Sequence, residues 1–144
     1  MAGTKRVEVF VDSGAWIALV ASWDPLHAHA SAAYAQRFAR AHLITSSDVY
    51  DESVTRLRYD GGLEAARLFR RRVGEAKTSG RVEVLWVDQE THNEAWVLLE
   101  QNPSVKLSFT DATSAVIAKR RGVRTVFGFD ADFRALGFEV LPSN

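Results

Sequence analysis

The sequence predicts an α/β domain of three layers, a mostly parallel central sheet flanked by helices. Short β-branched runs (VEVFV, HLIT, VEVLWV, RTVFGF, FEVL) recur along the chain. Alanine-rich and charge-rich segments of helical length separate them. The 144 residues are 47% hydrophobic and 25% charged, without repeat, low-complexity tract or linker, so a single domain over 1–144 is expected.

Each element follows from local signals. Val7, Val9 and Val11 alternate with Glu8 and Phe10 in a strand buried on at least one face. A short apolar helix is expected over 14–22. Asp24 before Pro25 marks a helix start, and an alanine-rich helix should run over 26–41. HLIT is the second strand, and Ser46 or Ser47 caps a helix reaching Tyr59. Gly61-Gly62 breaks that helix, and another follows over 63–77. VEVLWV, residues 82–87, is the third strand, with Asp88 capping a helix to Gln101. Past the connector NPSVKLS, Ser108 or Thr110 caps a helix ending near Arg121, with Gly122 as its stop. RTVFGF is the fourth strand, ADFRALG a short helical turn, and FEVL the last strand.

Composition narrows the functional classes. There are no cysteines, which excludes disulfides and thiolate metal sites. No apolar run approaches the roughly 20 residues of a membrane span, and MAGTKRVEVF does not read as a signal peptide. A cytoplasmic protein is expected. With 18 basic and 18 acidic residues the net charge is zero, so no global field draws the chain to nucleic acid. The basic residues are nonetheless clustered, at Arg67, Arg70, Arg71 and Arg72, and at Lys119, Arg120, Arg121 and Arg124.

The acids carry the chemistry. In an open parallel sheet, ligands bind beyond the carboxyl ends of the strands, where strand order reverses. Asp12 ends the first strand, and Asp130 and Asp132 follow the fourth. Asp111 opens a helix, and Asp48, Asp51 and Glu52 lie in the first turns of another. Singly, most of these read as caps or turn residues. Together, four segments deliver carboxylates to one edge, where they repel unless hard divalent cations neutralise them. Such a site suits in-line displacement at phosphorus. The four histidines, His27, His29, His42 and His92, read as surface residues. No GxxxxGK[ST] or GxGxxG pattern points to a nucleotide cofactor.

Four stretches, FVDSGAWIAL, TSSDVYDESVTRL, SFTDATSAVIAKRRGV and VFGFDADFRALGF, resemble in order and spacing a PIN-domain ribonuclease of the VapC toxin type. The resemblance runs from about Val7 to Leu141. It implies a PIN-like fold with an acidic cleft binding Mg²⁺ or Mn²⁺. It places the metal-binding, catalytic acids on Asp12, Glu52, Asp111 and Asp130, with Asp132 as alternate or auxiliary acid. Ser13 and Thr110 would support the cleft. The chemistry implied is hydrolysis of RNA phosphodiester bonds, leaving a 5′-phosphate and a 3′-hydroxyl. The tryptophan of SGAWIAL, the WDPLHAHA stretch and the SFTDATS form are similar to VapC toxins that cut the sarcin-ricin loop of large-subunit ribosomal RNA. Other members cut transfer RNAs. The resemblance further implies an antitoxin partner and a homodimer, for which Trp96, Leu98 and Leu99 offer an apolar helix face. On this reading Arg67, Arg70, Arg71, Lys119, Arg120 and Arg121 are candidates for the RNA backbone, since phosphate contacts position without specifying sequence. Trp16 and Trp23 could stack bases, with a core or dimer-interface role favoured for Trp16.

Two further classes of domain share carboxylates at strand ends. A receiver-type phosphoacceptor domain needs an acidic pair after the first strand and an acceptor aspartate after the third, a place held here by Asp88. A haloacid-dehalogenase-type phosphatase needs a second aspartate where Gly14 stands. A binding module on the same fold is the non-enzymatic alternative.

Overall fold

The computed structural model describes residues 6–143. Residues 1–5, the start of the stretch read above for a leader peptide, lie outside the described residues. Five strands form one sheet: β1 (Glu8–Val11), β2 (His42–Ser46), β3 (Val82–Leu85), β4 (Thr125–Phe127) and β5 (Glu139–Leu141). The order is β3-β2-β1-β4-β5, and every pairing is parallel. The sheet is therefore wholly rather than mostly parallel.

Helices α1 (Ser13–Val20) and α2 (His27–Ala33) connect β1 to β2, and α3 (Ser47–Thr78) connects β2 to β3. Helices α4 (Gln89–Gln101) and α5 (Phe109–Arg120) return the chain across the sheet to β4, and α6 (Asp132–Ala135) leads to β5. Right-handed crossovers put α1–α3 on one face and α4–α6 on the other. Strand order reverses beside β1, which puts the residue after Val11 at the switch point.

Three expectations shift. The long alanine-rich helix ends in a π-helical turn, Tyr34–Phe38, where Phe38 turns inward against Phe127 at 4.5 Å between ring centres. The third strand stops at Leu85, because the Val87 N–H turns away to the Ser47 hydroxyl at 2.9 Å. The break at Gly61-Gly62 is real: Gly62 has φ 76° and ψ −177° inside α3. The Trp23 indole lies over Gly61 so closely that a Cβ there would sit 2.3 Å from it. A left-handed backbone and a close approach thus require this glycine pair.

The core lies on both faces of the sheet, around the fully buried Phe10, Ile44, Leu57, Phe69, Phe127 and Phe133. Trp16 belongs to it, edge-on to Phe69 with its Nε1 donating to Thr45 Oγ1 at 3.3 Å. It is a core residue, and only Trp23 of that pair is exposed. No described helix is long and apolar enough to cross a membrane.

Candidate active site

Asp12 follows β1 at the switch point and is 6% exposed. Its backbone holds it there: the N–H donates to Phe127 O (3.0 Å), and the carbonyl accepts from Ala15 and Trp16 N–H (3.2 Å each). It stands at the N-cap position of α1, yet its side chain makes no capping bond. Oδ1 is buried and has no partner. A buried polar atom left unpaired is costly, so it marks a place where something else is meant to bind. Burial is the main force raising the Asp12 carboxyl to about 7. The Ser13 backbone N–H opposes this, while the charges of Asp111, Glu52 and Asp130 add to it.

The other acids are each tethered. Asp111 is the third residue of α5 and closes a capping box: Asp111 N–H donates to Ser108 Oγ (3.0 Å), and Ser108 N–H to Asp111 Oδ2 (2.9 Å). Burial, then the charges of Asp130 and Glu52, raise its carboxyl above the usual range, against the bonds from Ser108. Asp130 follows β4 and accepts the Asp132 N–H on Oδ1 at 2.9 Å. Asp132 thus enters as a backbone support to Asp130. Glu52, half-buried on the second turn of α3, shares a surface cleft with Asp48, Asp51, Thr55, Arg56 and Thr110. The charges of Glu52, Asp111 and Asp130 all act on Asp12, so the four acids share one neighbourhood at the carboxyl end of the sheet.

Of the supporting pair, Ser13 is buried beside Asp12, and Thr110 lines the Glu52 cleft with its carbonyl accepting from Ser114 Oγ (2.7 Å). Two positioning residues escaped the sequence reading. Buried Thr45, at the carboxyl end of β2, donates its hydroxyl to Val11 O (2.9 Å) and so fixes the peptide before Asp12. Thr113 donates to Asp48 Oδ2 (2.9 Å) and ties α5 to α3. Only a hydroxyl on a buried strand end hinted at the first; the second joins residues 65 positions apart. Gly128 is the close approach behind Asp12, where a Cβ would stand 3.2 Å from the Asp12 Cβ.

The donor set is all oxygen, and Asp12 Oδ1 is buried without a partner, so these residues fit a hard divalent cation. Among the described residues, Glu8, His42 and Glu83 are the one histidine and acid group whose ligand atoms lie within 4.8 Å of one another. They stand at the other end of the sheet, about 13 Å from Asp12 along β1. There Arg121 already binds Glu8 and both Glu83 oxygens (3.1 and 3.2 Å), and His42 Nε2 bonds Glu83 at 3.2 Å. Glu83 is held below its usual pKa, first by Arg121 and then by His42. A cation is thus already in place as a guanidinium.

Three of the six basic candidates are already engaged within the protein. Arg121 is engaged at the far edge, Arg120 donates to Thr91 Oγ1 (2.7 Å) and Glu94, and Arg67 pairs with Glu64. Arg70, Arg71 and Lys119 form no ion pair among the described residues, with Lys119 lying over the Phe138 ring at 5.8 Å. His42 is half-buried in its network, and His27 Nδ1 lies 2.7 Å from Ala18 O, so these two histidines are more than surface residues. Asp88 accepts from Thr91 N–H (2.8 Å) and Oγ1 (2.6 Å) as the cap of α4, which removes the acceptor a receiver domain would need.

The sequence profile of the PIN domain matches residues 9–139. The chain is 32% identical over 135 residues to the 23S rRNA-specific endonuclease VapC20 of Mycobacterium tuberculosis, in two strains. That likeness covers 93% of this chain and 98% of the relative. The crystal structure of M. tuberculosis VapC20, described as a sarcin-ricin loop cleaving toxin, superimposes with a TM-score of 0.79 at 30% identity, over 90% of this chain and 95% of that one. A Pyrobaculum aerophilum protein shares the fold at a TM-score of 0.62 and 20% identity, over 96% and 93% of the two chains. The chain therefore belongs to the PIN-domain family, among its VapC-type members.

Proposed function

We propose that this protein is a toxin-type endoribonuclease that hydrolyses RNA phosphodiester bonds using Mg²⁺ or Mn²⁺, and that its target is the sarcin-ricin loop of large-subunit ribosomal RNA. One observation carries the catalytic part: a buried carboxylate with an unpartnered oxygen, Asp12, crowded by three further acids. The target rests on the likeness to VapC20, a 23S rRNA-specific endonuclease, over nearly the whole of both chains.

Asp12, Glu52, Asp111 and Asp130 would hold the ion, with Asp132 auxiliary. When bound, a divalent cation supplies Lewis acidity that lowers the pKa of water and stabilises the departing oxygen. The rest is the work of this chain. Ser108 and Asp132 backbone N–H groups aim Asp111 and Asp130. Thr45 and Gly128 set the depth of Asp12. With its acids uncompensated, the cleft repels a polyanion, so seating of the scissile phosphate against the acids is coupled to cation binding. Of the six basic candidates, Arg70, Arg71 and Lys119 form no ion pair among the described residues and are free to meet phosphates. A cognate antitoxin is expected to cover the acids with a basic side chain, and a cytoplasmic homodimer is the expected free form.

The test incubates purified protein with ribosomes and with total transfer RNA, in Mg²⁺, Mn²⁺ or EDTA, beside Asp12→Ala. The expected outcome is a discrete, metal-dependent cut in large-subunit ribosomal RNA, absent in the variant and in EDTA. A transfer RNA fragment instead would overturn the target and keep the nuclease. No cleavage, together with no cation binding by calorimetry, would leave a binding module.

A further inference from the structure

Trp86 is 79% exposed, although it directly follows the carboxyl end of β3. Its position is fixed, because the next residue donates its N–H to Ser47 Oγ at 2.9 Å. The indole borders a cleft of about 290 Å³ whose other walls include Arg70, Lys77, Asp51, Gly74 and Val84. Among the described residues neither Arg70 nor Lys77 enters an ion pair, unlike Arg67, Arg120 and Arg121. An aromatic face with two uncommitted cations beside it has the composition of a nucleotide seat, where a base stacks and its phosphates meet the charges.

The location links this cleft to the acids. Asp51 lines both it and the neighbouring cleft that holds Glu52 and Thr110. β3 stands two strands from β1, so the seat lies about 10 Å across the sheet from the Asp12 strand. A short run of nucleotides on one strand spans that distance.

We propose that Trp86, Arg70 and Lys77 form a binding subsite for an unpaired RNA nucleotide flanking the scissile bond, the base stacked on the Trp86 indole and the phosphates on the two cations. The subsite rests on the nuclease reading above and adds to it a place where the substrate is held apart from the chemistry.

The experiment measures binding of fluorescent oligoadenylate of about 12 nucleotides, and of an abasic oligomer of equal length, in EDTA by anisotropy. Wild type, Trp86→Ala, Trp86→Phe and the Arg70→Ala/Lys77→Ala double variant are compared. Trp86→Ala is expected to weaken oligoadenylate binding about 10-fold while leaving the abasic oligomer unaffected, and Trp86→Phe to restore most of the loss. The double variant should weaken both oligomers and flatten the dependence of log K on log salt by about 1. In cleavage, Trp86→Ala should raise KM with kcat unchanged, because it removes binding common to ground and transition states. Unchanged oligoadenylate affinity in a folded Trp86→Ala overturns the subsite and leaves the nuclease reading intact. So does an altered oligomeric state of that variant by light scattering, which would make Trp86 a contact between copies. Wild type that shows the Trp86-dependent binding but cuts no RNA would overturn the nuclease reading and keep the subsite.

Discussion

The two ends of the central sheet both hold acids and treat them in opposite ways. At the amino end, Glu8 and Glu83 face Arg121 and His42, and both carboxylates have the Arg121 guanidinium within hydrogen-bond reach, with His42 Nδ1 the buried atom left without a partner. At the carboxyl end, Asp12, Glu52, Asp111 and Asp130 face one another, and the deepest of them has an oxygen with no partner at all. Ion pairing lowers the Glu83 pKa at one end, and burial raises the Asp12 pKa at the other. A protein that can satisfy its carboxylates at one edge has the means to do so at both. Leaving one edge unsatisfied is what separates a site from a surface.

The sharpest way to break the contrast is at Asp12. Asp12→Ala is expected to lower cleavage at least ~100-fold, measured on the RNA that wild type cuts. Asp12→Asn should do the same while stabilising the metal-free fold, since it removes a buried charge that nothing pairs. A lowered melting temperature in Asp12→Asn would contradict the account of this edge.

The next effect is on stability against pH, in EDTA. The folded-state pKa of Asp12, about 7, is above its ordinary value of 3.8, so the folded state holds this proton more tightly than the unfolded state. Its contribution is present below about pH 4 and is lost as pH rises toward 7, by on the order of a few kcal/mol. Glu83 has the opposite sign: its depressed pKa gives stability that is lost on acidification. Metal-free protein should thus melt highest in mild acid, and Asp12→Asn should reduce the decline toward neutral pH to the part that Asp111 contributes. An added divalent cation should remove the decline.

Gly128→Ala is a gentler intervention. Its new Cβ would stand 3.2 Å from the Asp12 Cβ and displace the acid by a few tenths of an ångström. A fall in kcat/KM of about 10-fold with little loss of melting temperature is expected. The smallest effect belongs to the amino edge. Arg121→Met leaves Glu8 and Glu83 sharing only His42 and should cost about 1 kcal/mol of stability. Cleavage and RNA affinity should not change; a loss of RNA affinity would return Arg121 to the RNA surface.

Much of this was legible in the sequence because the signals are local. Strand periodicity placed Asp12 at a strand end, and Gly61-Gly62 announced the bend in the long helix. The resemblance chose Glu52 over Asp48 and Asp51, which periodicity could not do. What stayed hidden depends on distant residues. Arg121 reads like Arg70 in the sequence, and only the fold sets it against Glu8, 113 positions away. Trp86 read as part of a strand because VEVLWV is apolar apart from Glu83. Ser47, 40 positions earlier, ends that strand by taking the Val87 N–H and leaves the indole in solvent. The π-helical turn at Phe38 answers to Phe127, again a tertiary demand.

The tethering of the acids has a consequence for which ion the cleft prefers. Asp111 has lent Oδ2 to the Ser108 N–H, and Asp130 has lent Oδ1 to the Asp132 N–H. Each therefore has one oxygen wholly free for an ion and one already sharing a backbone N–H, so the tethers favour binding through a single oxygen. Large cations such as Ca²⁺ favour chelating carboxylates and crowded shells, whereas Mg²⁺ takes single oxygens and keeps its waters. If these acids hold the ion as proposed, the same backbone bonds that fold α5 and the turn before α6 favour small cations, and Ca²⁺ should be a poor substitute for Mg²⁺ in cleavage.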